Sequence, residues 1–264
     1  MRDLEAALRA RRDAGVPALV AYVTGGAPGT DAELLRAIAG AGADAIEVGI
    51  PFSDPVMDGP VVQEASRLAL ERGITPTDVL ATIAEADLGV PVAVMTYFNP
   101  VFRRGLERFL AGATEAGVGG VIVPDLPVDE ADGWVELCAA ASVAPVFLAA
   151  PGSSSERLRA IAASARGFVY CVSTFGVTGE RAALASTAER LVAELRPLTD
   201  LPLLVGVGIA TPEQASAACA FADGVVVGSA IVRRLLEADT DGAVDLVTSF
   251  RTALPVGGQP LPSR

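Results

Sequence analysis

The chain has 264 residues, of which 51% are hydrophobic and 20% are charged, and it carries a formal net charge of −12 with a pI of about 4.5. This length fits one large α/β barrel or two small domains, and the composition excludes disorder for the body of the chain. The acidic balance argues against nucleic acid as a partner, which needs a basic face, but a small anionic substrate can still bind to backbone N–H groups.

Short apolar runs, rich in β-branched residues and almost uncharged, recur along the chain. Such runs are typical of strands that are buried on both faces of a parallel sheet. The predicted strands are Ala18–Thr24, Asp44–Ile50, Pro91–Tyr97, Gly120–Pro124, Ala144–Ala149, Gly167–Ser173, Pro202–Gly206 and Gly224–Val227.

Segments with helical character lie before and between these runs. The N-terminal segment, Met1–Asp13, predicts an amphipathic helix. Thr30 is the expected N-cap of the next helix, and Thr211 followed by Pro212 is a typical helix start. The further predicted helices are Asp31–Gly42, Val61–Arg72, Pro76–Ala86, Arg103–Ala116, Glu130–Ala141, Ser154–Ala165, Thr187–Arg196, Pro212–Phe221 and one beginning near Ala230.

Eight strand–helix units without a break in composition predict an α/β fold, a single (β/α)8 TIM barrel with an extra N-terminal helix. The barrel would be one domain over residues 1–254, followed by a flexible tail over residues 255–264. A doubly wound sheet is the alternative, although it usually has fewer strands and an early Gly-rich dinucleotide turn. Long loops, Pro51–Pro60 and Thr174–Ser186, follow strands two and six, where barrel enzymes carry their function.

Residue types narrow the possible chemistry. The sequence has no histidine, which excludes Ser-His-Asp and Cys-His catalysis and histidine metal sites. Its three cysteines, Cys138, Cys171 and Cys219, form no C-x-x-C pair, so we expect no metal site and no disulfide framework. Without a visible signal peptide or spanning segment, the chain is expected to be cytoplasmic and to have no membrane partner.

Glu47 is the first candidate for catalysis. Strand alternation places the large residues on one face of its strand and Ala45, Glu47 and Gly49 on the other, so Glu47 should point into the barrel. Burial would raise the pKa of a carboxyl group there, which suits a general acid or base. A buried ion pair with an arginine or lysine is an equally good interpretation of this strand alone.

Asp58 lies in the loop that leaves the same strand. The loop can fold back over the barrel mouth, and two carboxylates in one pocket can divide into acid and base. Asp54 and Asp58 could instead only shape turns. A divalent metal is a weak alternative, because no further ligand cluster accompanies them.

Glycines after the last strands predict a phosphate site. They occur in Gly176–Gly179, in Gly206–Ile209 and in Gly228-Ser229, which precedes a helix. In barrels, phosphate commonly binds at loops seven and eight and at a helix N-terminus, although each glycine pair alone could be a simple turn. Three tyrosines, Tyr22, Tyr97 and Tyr170, lie at predicted strand ends, where they contact substrate or fill the core.

Several of these motifs together resemble the tryptophan synthase α-subunit family. They occur in family order along nearly the whole chain. The motifs are Ile46–Pro55 continuing through Asp58-Gly59-Pro60 and Gln63, Met95-Thr96-Tyr97 with Asn99-Pro100, Val123–Pro127, Gly176–Gly179, and Gly228-Ser229-Ala230.

The resemblance implies retro-aldol cleavage of indole-3-glycerol phosphate to indole and glyceraldehyde 3-phosphate. Glu47 matches the family's acid/base, Asp58 the carboxylate that pairs with the indole N–H, and Tyr170 a tyrosine that assists positioning. The matching substrate-binding positions are Tyr22, Tyr97, Thr178 and Val207 at the indole pocket, and Gly179, Gly208, Gly228 and Ser229 at the phosphate.

The resemblance also implies a partner. Family members pair with a β subunit in an α2β2 heterotetramer, and pyridoxal phosphate belongs to that partner, so no cofactor and no metal are expected in this chain. Asp54 and Asn99 match positions near the interface. Ala27 and Thr174 depart from residues common in the family. A free-standing lyase, a different phosphate-binding barrel and a non-catalytic activator of a β subunit are the alternatives.

Overall fold

The structure is a computed structural model that describes residues 2–172, 181–206 and 208–255. Eight parallel strands form a closed barrel in chain order, because β1 pairs with β8 as well as with β2. This closure confirms the predicted TIM barrel and excludes a doubly wound sheet. The strands are β1 (Ala18–Thr24), β2 (Ala45–Gly49), β3 (Val92–Met95), β4 (Val118–Ile122), β5 (Ala144–Ala149), β6 (Val169–Val172), β7 (Leu203–Gly206) and β8 (Gly224–Val227).

Helices connect the strands within the described ranges. Helix α1 precedes the barrel, and α3 and α4 both follow β2. The helices are α1 (Leu4–Asp13), α2 (Ala32–Gly40), α3 (Pro60–Glu71), α4 (Pro76–Ala86), α5 (Phe98–Arg104), α6 (Leu106–Glu115), α7 (Asp132–Ala140), α8 (Ser155–Ser164), α9 (Arg181–Leu195), α10 (Pro212–Ala218), α11 (Ser229–Leu236) and α12 (Thr240–Ala253).

Some predicted helix bounds were wrong. The N-cap of α2 is Asp31, whose carboxylate accepts the Leu34 N–H at 2.9 Å, whereas the Thr30 N–H bonds back to the Ala27 carbonyl in the preceding turn. The predicted helix Arg103–Ala116 is two helices, because Gly105 has a φ of 88° and ends α5.

Other bounds follow local signals. Thr211 caps α10 with a full capping box, as its sequence predicts.

Helix α9 begins at Arg181, six residues before its predicted start at Thr187. Residues 174–180 of the predicted loop, Ser173 of the predicted sixth strand and tail residues 256–264 lie outside the described residues. Helix α12 was not predicted from the sequence.

Two apolar layers surround the strands. Ile46, Val48 and Ile50 belong to the outer layer between strands and helices. Smaller sets from alternate strand positions fill the barrel interior, among them Ala45 and Ala93. This division is the predicted one, and it turns Glu47 inward. None of the helices in the described part of the chain is long and apolar enough to cross a membrane.

Helix α1 packs against the N-terminal end of the barrel interior. Leu4 and Leu8 are almost fully buried there, and the Glu5 carboxylate accepts the Gly167 N–H at 2.9 Å. Bulky side chains thus fill this end of the barrel, and the opposite end remains open for a ligand.

Candidate active site

A cavity of about 340 Å³ opens at the C-terminal ends of the strands. This is the end at which barrel enzymes build their active sites. Its lining combines two carboxyl groups, two tyrosines, a glycine-rich end and many apolar side chains. The residues are Tyr22, Glu47, Met57, Asp58, Gly59, Val62, Met95, Ile122, Pro124, Leu148, Tyr170, Val172, Gly208, Ile209, Ala210, Val226, Gly228, Ser229 and Arg233.

A larger groove, of about 860 Å³, lies at the opposite end of the barrel. Asp223 and Arg196 form an ion pair of 2.6 Å there, and the same carboxylate accepts the Leu203 N–H at 2.8 Å. These groups join the start of β7 to the helix before it. The charged groups of this groove therefore have a structural role, and the smaller cavity is the candidate active site.

Glu47 stands in the wall of the cavity, on β2 between Tyr22 of β1 and Ala93 of β3. Its side chain is 1% exposed, and its Oε2 atom has no hydrogen-bond partner among the described residues. No arginine of the described part forms an ion pair with Glu47. This argues against the alternative in which Glu47 belongs to a buried ion pair. Burial, followed by the nearby Asp58 charge, raises the pKa of Glu47 to about 8.

Asp58 reaches the same cavity from the loop between β2 and α3. The loop is held at both sides of this residue: the Asp58 N–H donates to the Pro55 carbonyl at 3.1 Å, and Gln63 Nε2 donates to the Asp58 carbonyl at 2.9 Å. Burial raises the pKa of Asp58 to about 6, and a hydrogen bond from Tyr97 opposes that rise. Two carboxyl groups with separated pKa values thus face one cavity.

Tyr97 supports the Asp58 loop from behind and is not one of the residues lining the cavity. Its hydroxyl accepts the Met57 N–H at 2.9 Å and hydrogen-bonds to the Asp58 carboxylate. Its ring stacks on Phe52 with centroids 5.1 Å apart. The structure therefore places this residue, predicted at the indole pocket, where it positions Asp58.

Tyr22 of β1 and Tyr170 of β6 both face the cavity. The Tyr22 hydroxyl lies 3.3 Å from Thr24 Oγ1. The Tyr170 ring lies over Gly206, where an added Cβ would be 2.4 Å from the tyrosine hydroxyl. Burial raises the pKa of both phenols, so both are neutral hydrogen-bonding groups.

The polar end of the cavity is formed by the loops after β7 and β8. Gly208 has a φ of 87°, which favours glycine, and Gly228 precedes the first residue of α11, Ser229. Backbone N–H groups at such a helix start can bind an anion. Thr178, Gly179 and Val207, predicted to contact the same substrate, lie outside the described residues.

The apolar part of the lining and one cation were not predicted from the sequence. Ile122, Leu148 and Val226 occupy inward positions on β4, β5 and β8, which strand alternation could have identified. Arg233 lies four residues after Ser229 on α11, and that helical spacing was its available signal. Within the described residues, no group of three or more acidic, cysteine or histidine side chains is arranged to hold a metal ion.

Comparison with known proteins agrees with this geometry. The family model described as tryptophan synthase alpha chain matches residues 8–253. The tryptophan synthase alpha chain of Streptomyces avermitilis is 46% identical over 240 residues, which cover 89% of this chain and 87% of that protein. The Synechocystis alpha chain is 46% identical over 257 residues, which cover 95% and 97%.

Comparison with solved structures also points to tryptophan synthase. Tryptophan synthase subunit alpha from Legionella pneumophila superposes with a TM-score of 0.88 at 33% identity, covering 96% of this chain and 98% of that one. A chain of Mycobacterium tuberculosis tryptophan synthase superposes with a TM-score of 0.88 at 37% identity, with the same coverage.

Proposed function

The chain belongs to the tryptophan synthase α-chain family and is therefore a lyase of tryptophan biosynthesis, and on this premise we propose that Glu47 and Asp58 cleave indole-3-glycerol phosphate into indole and glyceraldehyde 3-phosphate. The observation that carries this assignment is the Glu47 carboxyl group, buried in the cavity with one oxygen unpaired among the described residues. Asp58, with its lower pKa, faces the same space.

In the first step, Glu47 protonates carbon 3 of the indole ring. Its pKa of about 8 keeps the carboxyl group protonated at neutral pH, so it can act as an acid. Protonation moves positive charge onto the ring nitrogen. Asp58, whose pKa is about 6, is ionised at the same pH and stabilises this charge through the ring N–H.

In the second step, the Glu47 carboxylate removes the proton from the hydroxyl of the glycerol carbon that is bonded to the ring. The carbon–carbon bond breaks, its electron pair returns to the ring to give indole, and the glycerol carbon becomes the aldehyde. Glu47 ends protonated, so no proton is gained or lost. Tyr170 is a neutral hydroxyl in the same cavity that can orient the glycerol chain.

The two ends of the cavity match the two ends of this substrate. Apolar side chains such as Ile122 and Leu148 suit the indole ring, and the backbone at Gly228 and Ser229 suits the phosphate. Roles for Thr178, Gly179 and Val207 stay predictions from the family resemblance.

A β subunit is the proposed partner, in an α2β2 heterotetramer that holds pyridoxal phosphate in the β subunit and no cofactor in this chain. Supporting this, Val56 is 78% exposed and Phe102 is 65% exposed. They lie close in sequence to Asp54 and Asn99, the positions that resemble the family's interface. Exposed large apolar side chains beside these positions fit a surface that a partner covers. The assembly is proposed to be cytoplasmic.

The test is indole release from indole-3-glycerol phosphate by the wild type, Glu47→Gln and Asp58→Asn, each with and without a β subunit. We expect the wild type to gain strongly from the β subunit and Glu47→Gln to lose roughly 100- to 10,000-fold in kcat, as expected when a general acid is removed. A wild type that is silent with both substrate and β subunit would refute the lyase assignment. Full activity without the partner would instead favour a free-standing lyase.

A further inference from the structure

Arg233 is a cation at the cavity that the roles assigned above leave unused. It lies one helical turn after Ser229 on α11, so both residues are on the same side of the helix. With Gly208, Gly228 and Ser229 it lines the polar end of the cavity. Its side chain is exposed, so the guanidinium group can adjust its position to meet a bound ligand.

The charges of the cavity make this cation unusual. At neutral pH Asp58 is the ionised acid of this cavity, since Glu47 is protonated and Tyr22 and Tyr170 are neutral. Arg233 is the one basic side chain among the described residues of the lining. The whole chain has a net charge of −12. An anionic substrate would therefore enter against a repulsive field, and a cation beside its binding position would offset that repulsion.

The neighbouring residue, Arg234, shows the structural use of an arginine on this helix. Its Nη1 atom lies 2.9 Å from the Asp239 carboxylate, just beyond the end of α11. Within the described part of the chain, Arg233 has no corresponding ion pair or hydrogen bond. Its guanidinium group is therefore available to an external anion, which it can bind through two parallel hydrogen bonds.

We propose that Arg233 binds the phosphate group of the substrate beside Gly228 and Ser229 and makes the cavity selective for phosphorylated over unphosphorylated ligands. The proposal deepens the proposed function and rests on it for the identity of the substrate. The backbone N–H groups at the start of α11 would position the phosphate, and Arg233 would neutralise it.

Arg233→Met and Arg234→Met form a matched pair, because each removes one positive charge from the same helix. Arg233→Lys keeps the positive charge but lacks the planar guanidinium group. The readouts are kcat and KM for indole-3-glycerol phosphate, Kd for inorganic phosphate and Kd for indole, with thermal unfolding as a check on folding. We expect Arg233→Met to raise KM and the phosphate Kd about tenfold, or about 1.4 kcal/mol. Arg233→Lys should recover part of this loss, and the indole Kd should stay unchanged.

Arg234→Met should keep KM and both dissociation constants within about twofold of the wild type. Equal phosphate affinity in Arg233→Met and Arg234→Met would overturn the proposal, as would an equal loss of indole and phosphate binding in Arg233→Met. The phosphate measurement needs no turnover. If the wild type releases no indole, the proposed reaction fails, and the comparison of the two arginines still decides whether Arg233 binds phosphate.

Discussion

The hydroxyl oxygen of Tyr97 lies 2.9 Å from the backbone nitrogen of Met57 and accepts its hydrogen bond. Tyr97 follows β3, whereas Met57 belongs to the loop after β2. The contact therefore ties the loop that carries Asp58 to the neighbouring strand. The same hydroxyl has its proton available for the Asp58 carboxylate, so one side chain both holds the Asp58 loop and opposes the rise in the pKa of Asp58 that burial causes.

Tyr97→Phe should weaken catalysis while leaving the fold intact. The variant keeps the ring stacked on Phe52 and removes the hydroxyl. Since the hydrogen bond from Tyr97 lowers the pKa of Asp58, its loss should raise that pKa and reduce kcat/KM about tenfold. Steady-state kinetics across pH would check this, because the acidic limb should move to higher pH. A reduced rate with an unmoved limb would mean that Tyr97 only packs.

The wild type should have a bell-shaped dependence of kcat/KM on pH. Asp58 must lose its proton, so the rate should rise as pH increases through about 6. Glu47 must keep its proton, so the rate should fall as pH increases through about 8. The two apparent values belong to the interacting pair and not to either carboxyl group alone. A profile that is flat across this window would contradict the assignment of acid and charge-stabilising roles.

Asp58→Asn should change the profile as well as the rate. The acidic limb should disappear, and the basic limb should move to lower pH, because the Asp58 charge is the second cause of the raised pKa of Glu47. The rate should fall roughly 100- to 1,000-fold, since the ring charge loses its counterion. The profile would be recorded with the same substrate as for the wild type, and an unshifted basic limb would show that the two groups do not interact.

Glu47→Gln should stabilise the protein at high pH. The pKa of the folded-state carboxyl group is raised from 4.5 to about 8, so between these values the folded state holds a proton that the unfolded state has lost. Wild-type stability should therefore fall as pH rises through this window, whereas the amide does not titrate. Thermal unfolding should show a Tm advantage of Glu47→Gln that grows from about pH 5 to about pH 8. A constant difference would place Glu47 outside a desolvated site.

Gly206→Ala should displace Tyr170. The added methyl group would lie 2.4 Å from the tyrosine hydroxyl, so either the ring or the strand must move. We expect a loss of about 1–3 kcal/mol in the free energy of unfolding, with a reduced rate of indole release. Gly40→Ala, in α2, is the control, because nothing lies within 4 Å of its added Cβ. It should leave activity unchanged, and equal effects at the two positions would argue against a Tyr170 clash.

Local signals in the sequence located all eight strands and several helix starts, although β4 begins at Val118, two residues before its predicted start at Gly120. The bounds of β1 and β5 match the prediction, and Thr211 caps α10 as expected, because strand alternation and capping act over a few residues. Thr30 was expected to cap α2, but the cap is the next residue, Asp31, which the local pattern did not indicate. A local pattern also did not indicate that Gly105 would divide one helix into two.

The sequence by itself determined that Glu47 turns inward, because alternation along one strand separates the large residues from the small ones. Only the tertiary structure decided which distant residues meet it. Barrel closure pairs β1 with β8, and an added Cβ at Gly228 would lie 3.1 Å from the Tyr22 ring. The same closure brings Arg233 to a cavity that Glu47 and Asp58 enter from β2 and its loop. Side-chain direction is a property of one segment, but convergence depends on the register and closure of all eight strands.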